Sequence, residues 1–527
     1  MVDFIKKNYF EGIRRFFLSE KIIYFIIAIG IILYLRQYLN DRCLWHDEAK
    51  ISLDIIRLPV SSFLHQPLPY HNQAAPLGFL IIERLLVSIM GTGEYALRLY
   101  PFIAGVISLW LFYRMILIYL KAEFVALGLL IFVITPSLVY YASEVKPYYS
   151  DVFFVLISYV VIAEFCLKEL DWNKTWMVGA LGALIIWFSF PVIFVLGGIG
   201  TAIFLATMFQ GNHRKLWKVS IFIFCWLTSF VFYYAVILHN IVQVKSSEEF
   251  WQSGYISFTD IRIWLDVFID ILRYPVGSGS YLLLAPIVFF IGLYSFFKES
   301  KDKFSILSFP LFFVFIASGL HRYSCKDRLA LFILPIILII ILKGIEKISV
   351  TFGKLRIITV ILLIGILFYG SSVATYREFI NPEEKENIKS IMYYVKENIK
   401  RGDVICVYPG TADAFNYYYS VRGFSFGSNA KEKWPIIVPW KLEDNLKKMY
   451  GLKRVWILFT NNWHYWKKNS SGAKDKEYFF HYFSESGGKM LDHFSCGNGE
   501  VYLFDLSKFS SIKNNNIKVS LGINKKS

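Results

Sequence analysis

The chain has 527 residues, of which 56% are hydrophobic and only 18% charged. Soluble domains run near ~45–50% apolar and ~25% charged, so both departures exclude a purely soluble protein, a disordered chain and a collagen-like chain, and leave a polytopic membrane protein. Lys and Arg outnumber Asp and Glu by 56 to 40, a formal net charge of +16; in an apolar chain that excess reads first as basic cytoplasmic loops, and no nucleic-acid partner is expected.

The first apolar run, Lys21–Leu39, follows Lys6, Lys7, Arg14 and Arg15 and has no small-residue cleavage site after it. It reads as an anchor with the N-terminus in the cytoplasm. The segment from Asn40 to about Arg98 is then outside. Within it Pro76–Met90 is shorter than the ~20 residues a span needs and carries Glu83 and Arg84, so it reads as an amphipathic helix at the interface. The later apolar runs lie at about 97–119, 122–142, 150–167, 174–190, 191–209, 216–238, 280–297, 304–320, 329–343 and 356–374. With the first they predict roughly eleven spans. This count places Arg114/Lys121, Lys168/Lys174, Arg214/Lys215/Lys218, Lys298/Lys301/Lys303 and Lys343/Lys347/Lys354/Arg356 inside. A spanning Pro76–Met90 would put all of them outside, against the positive-inside rule.

After Ala374 the hydropathy collapses, and a soluble segment begins on the outer side. Asn381-Pro382-Glu383-Glu384 reads as a helix start, followed by Ile388, Ile391, Met392, Val395 and Ile399 at helical spacing, with Arg401-Gly402-Asp403 as the stop. Val404–Tyr408, Arg454–Phe459 and Val501–Leu506 read as short buried strands, and Lys441–Met449 as a further helix. The expected organisation is therefore a membrane domain over 1–375 with outward loops at 40–98, 143–149, 239–280 and 321–328, an extracytoplasmic α/β domain over 376–506, and a disordered tail over 507–527 rich in Lys, Asn and Ser. The six cysteines have no metal-ligand spacing. Disulfides between Cys43 and Cys325 or between Cys406 and Cys496 stay open.

Chemistry concentrates in the outward loops. Trp45-His46-Asp47-Glu48 stands directly past the first span; an acidic pair there is as a rule solvated surface charge. Further on come Pro76-Leu77, then Gly91, Glu94, Arg98 and Leu99, then Tyr140-Tyr141-Ala142-Ser143-Glu144-Val145-Lys146-Pro147-Tyr148, and later His321-Arg322-Tyr323 with Arg328 and Pro335. In this order the segments resemble those of the membrane glycosyltransferases related to protein O-mannosyltransferases and lipid A aminoarabinose transferases: an acidic pair after helix one, a Pro-Leu interfacial helix, Gly-x-x-Glu-x-x-x-Arg-Leu at the next span, a Tyr-x-x-Glu-x-Arg-x-Tyr loop with Lys in place of Arg, and an Arg before a Leu-rich Pro span.

The resemblance implies a GT-C fold and an inverting transfer of a sugar from a polyprenyl-phosphate donor to a lipid, glycan or protein acceptor, at the outer face of the plasma (inner) membrane. A hydroxyl acceptor needs a base, and a positioned carboxylate contributes ~10²–10⁴ in rate; that role falls on Asp47, with Glu48 beside it. The leaving lipid phosphate needs positive charge, for which Lys146, Arg322 and Arg328 are the candidates, snorkelling toward headgroups being the alternative. Glu144 is a candidate for holding the acceptor or tuning Asp47, and a surface pair with Lys146 explains it equally well. The sequence departs from the family where aminoarabinose transferases carry an acid-Lys-Pro-Pro run whose Lys meets phosphate; here the stretch is Gln73-Ala74-Ala75-Pro76. No outward loop is long enough for the β-trefoil of eukaryotic-type mannosyltransferases, which weakens a protein acceptor. No cofactor is required, although relatives leave room for a divalent metal, with His65 and His71 as weak candidate ligands.

Glu94 and Arg98, one helical turn apart, read as a structural pair. Trp251, Tyr255 and Trp264 mark a loop that either gates the carrier lipid or anchors at the interface. Two competing functions remain: a transporter or lipid flippase, which would place ionisable residues mid-span, and a non-catalytic subunit using Trp434, Trp440, Trp456, Trp463 and Trp466 to stack on glycans.

Overall fold

The computed structural model describes residues 19–163, 165, 170–245, 252–277, 283–427, 435–438, 449, 451–460, 480, 483 and 487–508. The chain divides into two compact units that are interleaved in sequence. The larger comprises residues 1–40, 58–91 and 95–382; the smaller comprises 41–57, 92–94 and 383–527. The outward loop expected at 40–98 is thus shared between them.

The larger unit is helical. Among the described residues seven helices are long and apolar enough to cross a membrane: Glu20–Tyr38, Glu94–Tyr119, Val192–Phe209, His213–Val244, Lys301–Gly319, Asp327–Thr351 and Gly353–Ile380. Four of the expected spans are shorter or broken. The run at 122–142 stops at Val133 and restarts at Pro136, because proline has no N–H to continue the ladder. Tyr148–Val161, Trp172–Ile185 and Leu284–Glu299 complete the set. Pro76–Met90 forms a helix over Leu77–Met90, and it is not among the seven.

Close approaches between helices are made by small residues, as is usual where lipid supplies no hydrophobic drive. Leu284–Glu299 crosses Leu334–Thr351 at a reciprocal glycine pair. A Cβ on Gly292 would overlap the carbonyl oxygen of Ile340, and one on Gly344 the carbonyl oxygen of Val288. Near the end of the same helix Lys343 is buried and paired with Glu346 at 2.9 Å, which also receives Lys121 at 3.2 Å.

In the smaller unit the sheet has five strands: β1 (Val404–Val407), β2 (Ile436–Ile437), β3 (Val455–Thr460), β4 (Lys489–Cys496) and β5 (Gly499–Asp505). Their order is β2-β1-β3-β5-β4, with β1 parallel to β2 and β3, and β5 antiparallel to β3 and β4. Central β1 and β3 are buried along their whole length, which is why they are unbroken apolar runs. Edge strand β4 is polar and alternating, so no apolar run announces it. Trp456 is fully buried and donates to Asp403 at 2.8 Å; it is a core residue and not part of a glycan-stacking surface. The other four tryptophans of that set, the expected helix Lys441–Met449 (apart from Met449 itself) and Trp251 lie outside the described residues, as does the tail beyond Lys508.

Two helices of this unit matter below. We call His46–Arg57 α1 and Ile388–Asn398 α2. The start of α2 differs from the expected Asn381: its cap is Asn387, whose side chain accepts from Ser390 N–H at 3.1 Å. Ile388, Ile391, Met392 and Val395 form its buried stripe, and the stretch before it is extended. The five described cysteines, Cys43, Cys225, Cys325, Cys406 and Cys496, are free thiols, so neither candidate disulfide is formed.

Candidate functional site

The acidic pair stands in the first turn of α1, where the helix dipole favours negative side chains. Consecutive helix positions point in different directions, and the two carboxylates part accordingly. Glu48 is fully buried, while Asp47 is partly exposed.

The chain leading into α1 is held by side chains of the smaller unit. Cys43 N–H donates to Glu384 Oε1 at 3.0 Å, Leu44 N–H to the Tyr418 hydroxyl at 2.9 Å, and His46 N–H to Glu386 Oε2 at 3.1 Å. The His46 ring approaches Asp413 with Nδ1 at 3.4 Å. Lys385 places its ammonium 4.1 Å from the centre of the Trp45 ring. Glu386 is the most perturbed acid here: burial pushes its pKa up, the hydrogen bonds from His46 and Thr460 pull it down, and the charges of Asp413 and Asp47 add to the rise, to about 8. Sequence reasoning missed Glu386 and Asp413. Asp413 is a lone acid in its segment and Glu386 one of several charges before α2, and only the fold brings them to the acidic turn.

A second charged cluster lies in the same unit. Lys389 meets Glu94 at 2.9 Å and Asp41 at 3.1 Å, and Arg422 meets Glu94 at 3.6 Å. Glu94 therefore has cationic partners from the C-terminal part of the chain, which its spacing from Arg98 did not suggest. With Tyr393 and Tyr418 these groups line a cavity of about 220 Å³.

The candidate phosphate-binding residues belong to the helical unit, and their surroundings differ. Lys146 is 4% exposed and donates from Nζ to Gln73 Oε1 at 2.7 Å. Arg328 is partly buried, with its guanidinium 5.3 Å from the Tyr148 ring centre, a cation–π contact. Arg322 is exposed. Glu144 is fully buried. His65 is exposed and His71 partly buried, and no group of three or more His, Cys, Asp or Glu residues among the described residues could hold a metal ion. Glu83, read from the sequence as a polar residue of an interfacial helix, is fully buried, and neither carboxyl oxygen has a hydrogen-bond partner among the described residues.

The sequence matches no protein-family model, and it matches no curated protein. Its fold does have solved counterparts. It is similar to ArnT from Cupriavidus metallidurans in the apo state, with a TM-score of 0.54 and 12% identity over 93% of this chain and 99% of that one. The same holds for ArnT from that organism bound to undecaprenyl phosphate, with a TM-score of 0.52 and 11% identity over 91% and 97% of the two chains. The oligosaccharyltransferase of Archaeoglobus fulgidus is a more distant likeness, at a TM-score of 0.45 and 11% identity over 79% of this chain and 61% of that one. The fold class is thereby defined: a polytopic α-helical membrane protein of the GT-C type with a small C-terminal sheet.

Proposed function

We propose that the chain is an inverting glycosyltransferase that moves a sugar from a polyprenyl-phosphate-linked donor to an acceptor hydroxyl on the extracytoplasmic face of the membrane. The C-terminal sheet is extracytoplasmic in this reading. The observation that carries it is Lys146. Its buried ammonium reaches Gln73 at 2.7 Å, in the stretch where the related transferases carry a phosphate-binding Lys and this chain has Gln73-Ala74-Ala75. A charge missing from that stretch of the sequence is supplied by a later loop. The bound undecaprenyl phosphate of one ArnT structure supports a carrier lipid of the same chemistry.

The chemistry assigns the roles. Asp47 takes the proton of the acceptor hydroxyl as its oxygen bonds to the anomeric carbon. The bond from that carbon to the phosphate oxygen breaks on the opposite face, and the lipid leaves as its phosphate. Lys146 and Arg328 neutralise the charge on the departing phosphate, with Arg322 outermost and Glu144 a candidate for holding the acceptor. Glu48, fully buried, shapes the turn. The test is the full chain in proteoliposomes with undecaprenyl-phosphate-linked sugars, read as release of undecaprenyl phosphate. Asp47→Asn should bind undecaprenyl phosphate normally and lose ~10²–10⁴ in turnover; wild-type turnover in Asp47→Asn would overturn the assignment.

A further inference from the structure

The turn carrying Asp47 is tied to a carboxyl group 340 residues further along the chain. Glu386 lies in the extended stretch before α2. Its Oε2 accepts two hydrogen bonds, from His46 N–H at 3.1 Å and from the Thr460 hydroxyl at the end of β3, also at 3.1 Å. Thr460 is itself fixed: its N–H donates to Thr411 Oγ1 at 2.8 Å, and the two hydroxyls lie 3.0 Å apart. The Glu386 side chain is fully buried, and Oε1 has no hydrogen-bond partner among the described residues.

The two oxygens therefore differ. Oε2 is a satisfied acceptor. Oε1 has no donor to stabilise charge, and a buried carboxyl costs far less neutral than ionised. The charged groups around it press the same way. They are Asp47 on α1 and Asp413 on the short helix Ala412–Asn416, with the His46 ring turned toward Asp413. Neighbouring carboxylates disfavour one another's ionisation.

We propose that Glu386 is a positioning residue for Asp47, fixing the first peptide of α1 with one carboxyl oxygen and setting the basicity of Asp47 through the charge state of the other. The proposal rests on Asp47 being the base. Its raised pKa, about 8, keeps Glu386 neutral at pH 7. Asp47 then faces an uncharged acid. When Glu386 ionises, the added negative charge makes Asp47 hold a proton more tightly, and by linkage the charge on Asp47 holds the proton on Glu386.

The coupling is measurable without a sugar substrate. Infrared pH-difference spectra of the full chain in lipid nanodiscs, with ¹³C-labelled glutamate for assignment, should show a protonated carboxyl that is lost around pH 8 and is missing in Glu386→Gln. In Asp47→Asn, a partly exposed position, the same signal should titrate roughly 0.5–1 unit lower. Glu386→Gln keeps an acceptor for His46 N–H and should melt close to wild type near pH 4.5 and above it at neutral pH, whereas Glu386→Ala should melt lower than Glu386→Gln. An unchanged Glu386 titration in Asp47→Asn overturns the proposal, as does a spectrum in which Glu386→Gln loses no signal. The two readings fail separately: a missing shift overturns this one whatever Asp47→Asn does to transfer, and normal transfer by Asp47→Asn overturns the base assignment whatever the spectra show.

Discussion

Replacing Lys146 by Met separates phosphate binding from folding. Lys146 is 4% exposed, and its ammonium donates to the neutral amide of Gln73. Keeping an ammonium there has a desolvation cost, and replacing a buried charge with an apolar side chain of similar length is often neutral or stabilising. Gln73 is partly exposed and can exchange the lost donor for water. The melting temperature of Lys146→Met should therefore stay near wild type or rise. A lipid phosphate, by contrast, loses a charge-assisted hydrogen bond made at low dielectric, about 1.5–3 kcal/mol, or roughly 10- to 150-fold in Kd. Arg322, exposed, is worth no more than about 1 kcal/mol, roughly fivefold. The assay is undecaprenyl phosphate binding by native mass spectrometry of nanodisc-embedded protein, with thermal unfolding of the same samples. Equal binding by Lys146→Met and wild type would refute the phosphate role. So would a loss matched by a comparable fall in melting temperature.

Three further outcomes follow from the geometry. Gly344→Ala should lower stability by about 1–3 kcal/mol, because its Cβ overlaps the Val288 carbonyl, while Gly365→Ala, with nothing near its Cβ, should not; melting of the detergent-solubilised chain compares them. Glu386 binds its proton more tightly folded than unfolded, its pKa moving from 4.5 to about 8. Its contribution to stability is thus complete below about pH 4.5 and lost as pH rises toward 8, up to about 5 kcal/mol; melting curves across this window should flatten in Glu386→Gln. For topology, a cysteine at the exposed position Glu397, in a Cys496→Ser background, should react with an impermeant thiol reagent in intact cells, and labelling only after permeabilisation would place the sheet in the cytoplasm.

Elements governed by local chemistry were legible in the sequence. Val192–Phe209 is one apolar run and one helix, and β1, β3 and β5 are apolar runs between turns. Local rules failed where distant residues decide the backbone. Asn381-Pro382 has the form of a helix cap, but the stretch up to Asn387 stays extended, and there Glu384 and Glu386 accept the backbone N–H groups of Cys43 and His46. Strand β4 was hidden because an edge strand with one wet face needs no apolar run. The candidate site was half legible. The type and order of Asp47, Lys146 and Arg328 suggested the chemistry, but which carboxylate is reachable depends on burial. The partnership of Lys146 with Gln73 is a contact across 73 residues that no spacing rule encodes.

The interleaving of the two units has a consequence for how the protein is made. Helix α1 leaves the ribosome early, as part of a segment that belongs with strands not yet synthesised. At about 5–20 residues per second, the 340 residues between His46 and Glu386 take roughly 20–70 s to translate. Throughout that interval the acidic turn exists without its lock, while the helices between are inserted one after another. A segment that waits so long is a natural substrate for chaperones. A truncated chain ending after Ile380 would keep its spans yet leave Asp47 on an unanchored strand of polypeptide.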